Sequence, residues 1–393
     1  MTEKKLNRVR HRRIISPRMI CYTGFRCNLR CRFCYYLESL ESDKVRDRTS
    51  TQIRRQLWVG RRLFRKTEVE FTGGEPTVMS GFVDLIAYAR TLGYQEIGLI
   101  TNGLRMADMD YCRQLKEAGL NDILFSFHSY DPKIHDWLTQ AKKSHEKLEQ
   151  AVRNVKALRM DFRFNSVVTP ANSLVLKPHL EFLAKFEPCS VNLIIFNPSE
   201  ETANYESHNP IRFSTYDDIG ERLAEAIEAF RGRIPILNVR FIPFCFLKGH
   251  EAHIRNYWQA IYEAKEWDPF LHMGYRKGFM KVALATLAGL FFWPFTLSRY
   301  GKKSFYTQLC EWMQSFRIHL LFRQPPACRR CALRLICGGF QREFFKKYGT
   351  PKVYPYTDMP LVRNPVLFAS PRYTAKFPGL AAEKASRSDS VDV

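Results

Sequence analysis

The chain reads as an α/β protein: a (βα)6 partial TIM barrel of parallel strands followed by a smaller C-terminal cysteine-containing auxiliary domain. Three observations predict this. Short apolar runs alternate with amphipathic or polar helical stretches from about residue 17 to about residue 235, which is the signature of βα units and a parallel sheet. The turns richest in candidate ligands follow these runs directly, where parallel sheets gather their active sites. The alternation then stops and a compact set of cysteines follows.

The expected strands are Met19 to Thr23, Val69 to Thr72, Ile97 to Thr101, Ile123 to His128, Arg163 to Val168 and Val191 to Phe196, and the helices between them include Phe82 to Thr91, Met109 to Ala118, Ser144 to Leu158 and Pro178 to Phe186. Each helix follows its strand closely, so six parallel strands can curve into an open barrel with the helices outside. A further helix, Asp217 to Phe230, leads to one more strand, Ile236 to Ile242, ending in Pro243-Phe244-Cys245. The expected division is a basic tail (1–16), the barrel (17–235), an auxiliary region (236–350) and an extension (351–393) whose small polar residues from Ala381 onward predict disorder.

Lys and Arg number 61 against 39 Asp and Glu, a net charge of +22, with basic blocks at Lys4 to Arg13 and at Arg54, Arg55, Arg61, Arg62, Arg65 and Lys66. Such a field suits nucleic acid, anionic lipid or an acidic peptide, and equally a solvated surface. The first sixteen residues are basic rather than apolar, so no signal peptide is expected; with cysteines at ligand spacings, a reducing cytoplasm is the expected compartment. Val282 to Ser298 carries no charge for seventeen positions and is flanked by Lys281 and Arg299. That is the lower limit for crossing a bilayer, and Pro294 would break it. A segment lying at the inner membrane surface on anionic lipid is one reading, and a buried helix is the other.

Cys27, Cys31 and Cys34 stand at C-x3-C-x2-C, a spacing that suits three thiolates on one iron-sulfur cubane. Three protein ligands leave one iron open to a small molecule. Zinc is the competing metal, but no fourth ligand lies nearby in sequence. A second signal, Thr72-Gly73-Gly74-Glu75-Pro76, follows the second strand: its glycines permit close backbone approach, and Glu75 can accept hydrogen bonds from an ammonium. A plain strand-ending turn is the alternative for these five residues taken alone.

Together these motifs resemble the radical S-adenosylmethionine (radical SAM) superfamily, and the resemblance extends over about residues 17 to 350. It implies a 4Fe-4S cluster on Cys27, Cys31 and Cys34, with S-adenosylmethionine chelated at the open iron and its amino group held at Gly73, Gly74 and Glu75. It also implies reductive cleavage to a 5′-deoxyadenosyl radical that abstracts a hydrogen atom. Tyr35 takes the family's aromatic position near the adenine, and Ser126 and Asn165 take positions used for the ribose or the methionine carboxylate. His128 and Ser129 lie at the rim of the fourth strand, where substrate contact and a structural role are both open. Asn102 reads as a turn residue. The resemblance further implies a reducing partner such as a flavodoxin or ferredoxin.

Cys328, Cys331 and Cys337, followed by Gly338-Gly339, are a second compact set of soft ligands. They resemble the auxiliary-cluster domains called SPASM and twitch, although Gln341 stands where SPASM has a further cysteine. One auxiliary 4Fe-4S cluster is expected, its fourth ligand Cys245, at a strand end, or Cys310, with a four-thiolate zinc knot as the alternative. Cys21, Cys112 and Cys189 lack partner spacing and read as packing residues. The expected function is hydrogen abstraction from a peptide or from a membrane-associated or anionic small molecule; nucleic acid is permitted by charge alone. A non-catalytic iron-sulfur electron carrier that retains the fold is the alternative, although Glu75 would then have no purpose.

Overall fold

In the computed structural model, the residues described are 16–35, 47–197, 215–230, 232–260, 266–268, 270–272, 274, 280, 282, 284, 305–363, 365 and 368. The chain divides into two compact units, Pro17–Asn238 and Val239–Val393 with Met1–Ser16.

The first unit carries the parallel sheet. Its strands are β1 (Arg18–Tyr22), β2 (Glu68–Thr72), β3 (Glu96–Thr101), β4 (Asp122–Ser126), β5 (Asp161–Val168) and β6 (Ser190–Ile195). A seventh, β7 (Leu237–Arg240), carries the chain out of the unit, and the sheet order is the sequence order from β1 to β7. The register sets Cys21 beside Phe71, Phe71 beside Leu99, and Ser126 beside Asn165. Between strands run α1 (Ser50–Arg62), α2 (Phe82–Thr91), α3 (Met109–Ala118), α4 (Pro132–Thr139), α5 (Ser144–Ala157) and α6 (Leu176–Ala184), with α7 (Tyr216–Ala229) ahead of β7. Local chemistry fixes their starts. Thr49 and Gln52 form a reciprocal capping box on α1, Asp108 caps α3, and Asp131 with Pro132 begins α4.

The expected strands all appear, with the fourth and the last shorter: β4 ends at Ser126, because Asp131 and Pro132 start α4 soon afterward and leave 127–131 to make the turn, and β7 covers only Leu237–Arg240 of the expected Ile236 to Ile242. Neither α1 nor α4 was among the expected helices.

At the amino ends of the strands, a buried ionic network fills the barrel. Arg18 is fully buried and reaches Glu70 at 2.9 Å, Asp122 at 3.1 Å and Glu68 at 3.2 Å, and also pairs with Glu96. Arg163 reaches Asp122 at 2.7 Å and Glu70 at 2.8 Å. An Arg on β5 can meet a Glu on β2 only across the inside of a curved sheet, so Arg163 faces the interior. By strand alternation Asn165 does too, whereas Ser166 turns outward to bond His179 of α6 at 2.9 Å. Removing one partner from such a network strands buried charge and costs about 3–5 kcal/mol.

In the second unit, α8 (Phe305–Leu321) leads into β8 (Phe322–Arg323), which pairs antiparallel with β9 (Phe340–Gln341), and α9 (Arg342–Tyr348) follows. Beyond residue 350 the chain keeps packing on the cysteine segment. Ala332 N–H donates to Tyr356 O at 2.7 Å, Val362 N–H donates to Ala332 O at 2.8 Å, and Val362 is buried. Of the apolar run Val282 to Ser298, only Val282 and Leu284 are described. Val282 packs on Trp312, Met313 and Phe270, while Leu284 is exposed. The rest of the run, the basic tail before Ser16 and the residues after 368 lie outside the described residues. Among the described residues no helix is long and apolar enough to cross a membrane.

Candidate active site and cysteine centres

The loop that follows β1 carries Cys27, Cys31 and Cys34, and it is tied down on both sides. On one side it is stitched to the turn after β2: Gly74 N–H donates to Gly24 O at 2.8 Å and Glu75 N–H donates to Arg26 O at 2.8 Å. A Cβ on Gly74 would strike the carbonyl oxygens of Phe25 and Arg26, and one on Gly73, at φ +140°, would strike Gly24 O. These glycines therefore let two loops join, which places Glu75 beside the cysteines. Asp47 accepts from the Phe25 and Arg26 N–H groups at 3.1 and 2.9 Å.

On the other side, Arg32 N–H donates to Leu138 O at 2.8 Å and Arg32 Nε to Trp137 O at 3.0 Å, with the guanidinium 4.6 Å above the Trp137 ring. Gln140 Nε2 also donates to Arg30 O. Phe33 packs against Leu138 and Phe196.

Burial pushes the Cys27 thiol up to about 11, against the opposing Leu29 N–H, which donates to its sulfur at 3.4 Å. Burial raises Cys31 well above the ordinary thiol range too. Cys34 and Glu75 add to both shifts, so the three thiols and the carboxylate share one electrostatic site. Tyr35 is exposed.

Glu75 is 2% exposed. Its Oε1 accepts from Thr77 Oγ1 at 2.6 Å, Thr101 Oγ1 at 2.8 Å and Thr77 N–H at 3.1 Å, and its Oε2 accepts from Asn102 N–H at 2.7 Å. Burial raises its pKa and these donors counter the rise. A carboxylate has about four acceptor sites, two on each oxygen, so Oε1 is saturated and Oε2 keeps capacity for one more donor. Thr77, Thr101 and Asn102 were not among the expected site residues. Asn102 also donates from Nδ2 to Asn28 Oδ1 at 2.7 Å, linking the third strand's turn to the cysteine loop. A polar residue at each strand end was the available signal; which of them meet Glu75 depends on the register of the sheet.

Ser126 and Asn165 are half-buried register partners on β4 and β5. Asn192 on β6 donates to Asn165 Oδ1 at 2.8 Å, and Asn238 on β7 donates to Asn192 Oδ1 at 2.9 Å. His128 is buried, and its Nδ1 accepts from Val167 N–H at 3.2 Å; Ser129 accepts from Asp131 N–H at 3.1 Å in the turn. Both therefore hold the rim together. His128 belongs with His135, His145 and His179 to a buried cluster beside Phe127. Burial lowers His128 and His179 to about 3 and depresses the other two as well.

In the second unit, Cys245, Cys328, Cys331 and Cys337 line one cavity together with Phe244 and Tyr356. Burial pushes Cys245 and Cys328 up to about 12 and raises Cys337, and the thiols add to one another's shifts. Tyr356 N–H donates to the Cys331 sulfur at 3.4 Å. The Tyr356 hydroxyl donates to Glu251 at 2.6 Å, and burial together with that carboxylate keeps the phenol protonated. Cys310 is buried on α8 and is not in the cavity's lining; Cys21 and Cys112 are fully buried in the first unit. Among the described residues no three His, Cys, Asp or Glu side chains are gathered tightly enough to hold a single metal ion. Thiols on one ion at about 2.3 Å each would sit roughly 3.8 Å apart, whereas cluster ligands bind separate irons.

Residues 21–183 match the family model described as the radical SAM superfamily. The curated relatives include a 7,8-dihydro-6-hydroxymethylpterin dimethyltransferase of Methanocaldococcus jannaschii, 37% identical over 109 residues, which are 28% of this chain and 21% of that protein. They also include a probable GTP 3′,8-cyclase of Sulfolobus acidocaldarius, 27% identical over 172 residues, 44% of this chain and 53% of that one. The chain thus spans from about a fifth to about half of the length of these relatives. Among solved structures, Streptococcus suis SuiB bound to S-adenosylmethionine is 15% identical with a TM-score of 0.45, over 55% of this chain and 49% of that chain. Methylornithine synthase (PylB) is also 15% identical, with a TM-score of 0.46 over 64% of this chain and 74% of that chain. The superfamily's cofactors are a 4Fe-4S cluster and S-adenosylmethionine. The donor set suits them: three soft thiols on one loop beside a buried carboxylate with one acceptor position left. The cysteine loop and the Glu75 turn both fall within the matched span, and residues 21–183 form a radical SAM domain.

Proposed function

We propose that this chain is a radical SAM enzyme: Cys27, Cys31 and Cys34 ligate a 4Fe-4S cluster, and Glu75 holds the amino group of S-adenosylmethionine. The observation that carries this reading is the Glu75 carboxylate, buried beside the three thiols with Oε2 able to accept one more hydrogen bond. An electron carrier has no use for such a group. When bound, the cluster and S-adenosylmethionine supply one-electron cleavage and hydrogen-atom abstraction.

The chain's own residues do the positioning. Thr77, Thr101 and Asn102 fix the Glu75 carboxylate, so its free lone pair is aimed before any ligand arrives. Asn102 and Asn28 keep the turn and the cysteine loop in register. Ser126 and Asn165 offer polar groups from the facing strands, and Tyr35 offers an aromatic surface for the adenine. Phe33, Leu138 and Phe196 form an apolar wall beside the loop that keeps water away.

Cys245, Cys328, Cys331 and Cys337 are read as ligands of a second, fully ligated 4Fe-4S cluster. The substrate is read as anionic, given the +22 charge, with a flavodoxin or ferredoxin as reductant. By name, the curated relatives act on a pterin and on GTP, so a phosphorylated or heterocyclic small molecule stands beside an acidic peptide as substrate.

Anaerobic reconstitution, reduction with dithionite and chromatography test the reading. Wild-type protein is expected to form 5′-deoxyadenosine and methionine, and Cys31→Ala neither. A well-formed cluster that never cleaves S-adenosylmethionine would favour the electron-carrier reading.

Contact with an anionic membrane is a second reading, at the periphery. Met280 and Leu284, at the start of the apolar run in sequence, and Phe316 and Leu320 on α8 are exposed apolar pairs four residues apart, and basic residues flank the run in sequence. Salt-reversible sedimentation with anionic vesicles, reduced in Phe316→Ser/Leu320→Ser, is expected; pelleting without vesicles would count against it.

A further inference from the structure

The carboxyl half of the barrel carries a directional chain of amides that the cofactor site does not account for. Asn165, Asn192 and Asn238 stand on consecutive strands, and each later residue donates its Nδ2 to the Oδ1 of the one before, at 2.8 Å and 2.9 Å. Asn192 and Asn238 are buried at 6% and 4% exposure, whereas Asn165 is half-buried and faces the barrel interior above Arg163. Because its Oδ1 is occupied by Asn192, the Asn165 amide turns its N–H pair the other way, and that nitrogen makes no hydrogen bond among the described residues.

An isolated asparagine amide can rotate to show either a carbonyl or an N–H pair. In this chain the three amides share one order. If Asn238 donates, Asn192 must accept with its oxygen and donate with its nitrogen, and the same then holds for Asn165; the bonds polarise one another in one sense.

We propose that Asn192 and Asn238 are positioning residues that lock the Asn165 amide with its N–H donors toward the cavity, so that this wall selects an oxygen acceptor on the bound ligand. This rests on the barrel mouth being the S-adenosylmethionine site, whose ribose and carboxylate carry such acceptors. Asn165 touches ligand; the other two act through it.

The relay makes an inverted prediction. Asn238→Asp is nearly isosteric but, ionised, can only accept. Asn192 then rotates to donate to it and turns its oxygen to Asn165. Asn165 rotates in turn, donates back, and shows its carbonyl to the cavity. Asn238→Leu removes the donor without imposing the reverse order. At pH 8.5, S-adenosylmethionine binding to the reconstituted protein, measured by equilibrium dialysis, is expected to weaken roughly tenfold or more in Asn238→Asp and less in Asn238→Leu. Asn192→Asp is the second variant should the first fail to fold, and it is expected to match Asn238→Asp.

A merely structural role predicts the opposite order, with the larger loss in the leucine variant, and that order would overturn the proposal. The second arm needs no cofactor. In protein selectively labelled with 15N-asparagine and left without cluster, the side-chain N–H protons of Asn192 and Asn238 are expected to exchange slowly and those of Asn165 fast. In Asn238→Asp, slow exchange moves to Asn165. Equal protection of all three in wild-type protein would sink the relay, whereas wild-type protein that binds no S-adenosylmethionine would strike the functional reading and leave the exchange pattern to decide the relay.

Discussion

The two cysteine centres use the same soft donors and differ in what surrounds them. The first has three thiols on one loop, with a buried carboxylate close enough to shift two of them. The second has four thiols drawn from distant positions, 245 and 328 to 337, and among the described residues its cavity is lined by no acidic side chain. On the proposed reading the first is built to be incomplete, because a cluster held by three ligands keeps one iron for a ligand whose amino group Glu75 receives. The second is complete, so it can hold charge and pass an electron without binding substrate. Ligand count, read together with the nearest carboxylate, separates a binding centre from a storage centre.

The comparison breaks most completely at the thiols. Cys27→Ala/Cys31→Ala is expected to lose about half the iron of the reconstituted protein and all S-adenosylmethionine cleavage, and a triple alanine variant of Cys328, Cys331 and Cys337 to lose the other half. Iron unchanged in the triple variant would remove the second centre from the account. Cys245→Ala sharpens the contrast further: it should turn a closed cluster into an open one, seen as a new cyanide-sensitive EPR signal.

Next in size is the ionic network beneath the first centre. Arg163→Met leaves Asp122 and Glu70 short of a partner and is expected to lower stability by about 3–5 kcal/mol in denaturant unfolding, while the thiols of both centres still take up iron. A smaller and more local effect follows Glu75→Gln. Losing a charge-assisted hydrogen bond worth about 1.5–3 kcal/mol should weaken S-adenosylmethionine binding roughly ten- to hundredfold with iron content intact. Equal binding by the variant would mean that Glu75 serves the fold alone.

Acid gives the smallest effect. His128 and His179 have folded-state pKa values near 3, below the ordinary value of 6.5. The unfolded chain therefore takes up more protons between those limits, and the stability these groups confer is complete above about 6.5 and lost as pH falls toward 3. From pH 7 to 6 the two together should cost on the order of 1 kcal/mol. Stability that rises over that interval would show these histidines to be charged in the fold.

Much of the barrel was legible because parallel strands buried on both faces read as apolar runs, and because C-x3-C-x2-C and Gly-Gly-Glu-Pro are local in sequence. What was not legible depends on register and distance. Nothing around Arg18 or Arg163 announces that they meet across the barrel, and the three asparagines lie 27 and 46 residues apart. Asn102 looked like a turn former, and it is one: its Oδ1 accepts from Leu104 N–H at 3.1 Å, while its own N–H serves Glu75. Gly73 and Gly74 also make the join between two loops, a contact that the sequence does not announce.

The contrast between an open and a closed centre is tested most directly by Mössbauer spectroscopy of protein reconstituted with 57Fe, with and without S-adenosylmethionine. The ligand is expected to shift one iron subsite, the shift to persist in the triple variant of Cys328, Cys331 and Cys337, and to vanish in Cys31→Ala. A spectrum that S-adenosylmethionine leaves unchanged, or a shift that depends on the second set of cysteines, would contradict that contrast.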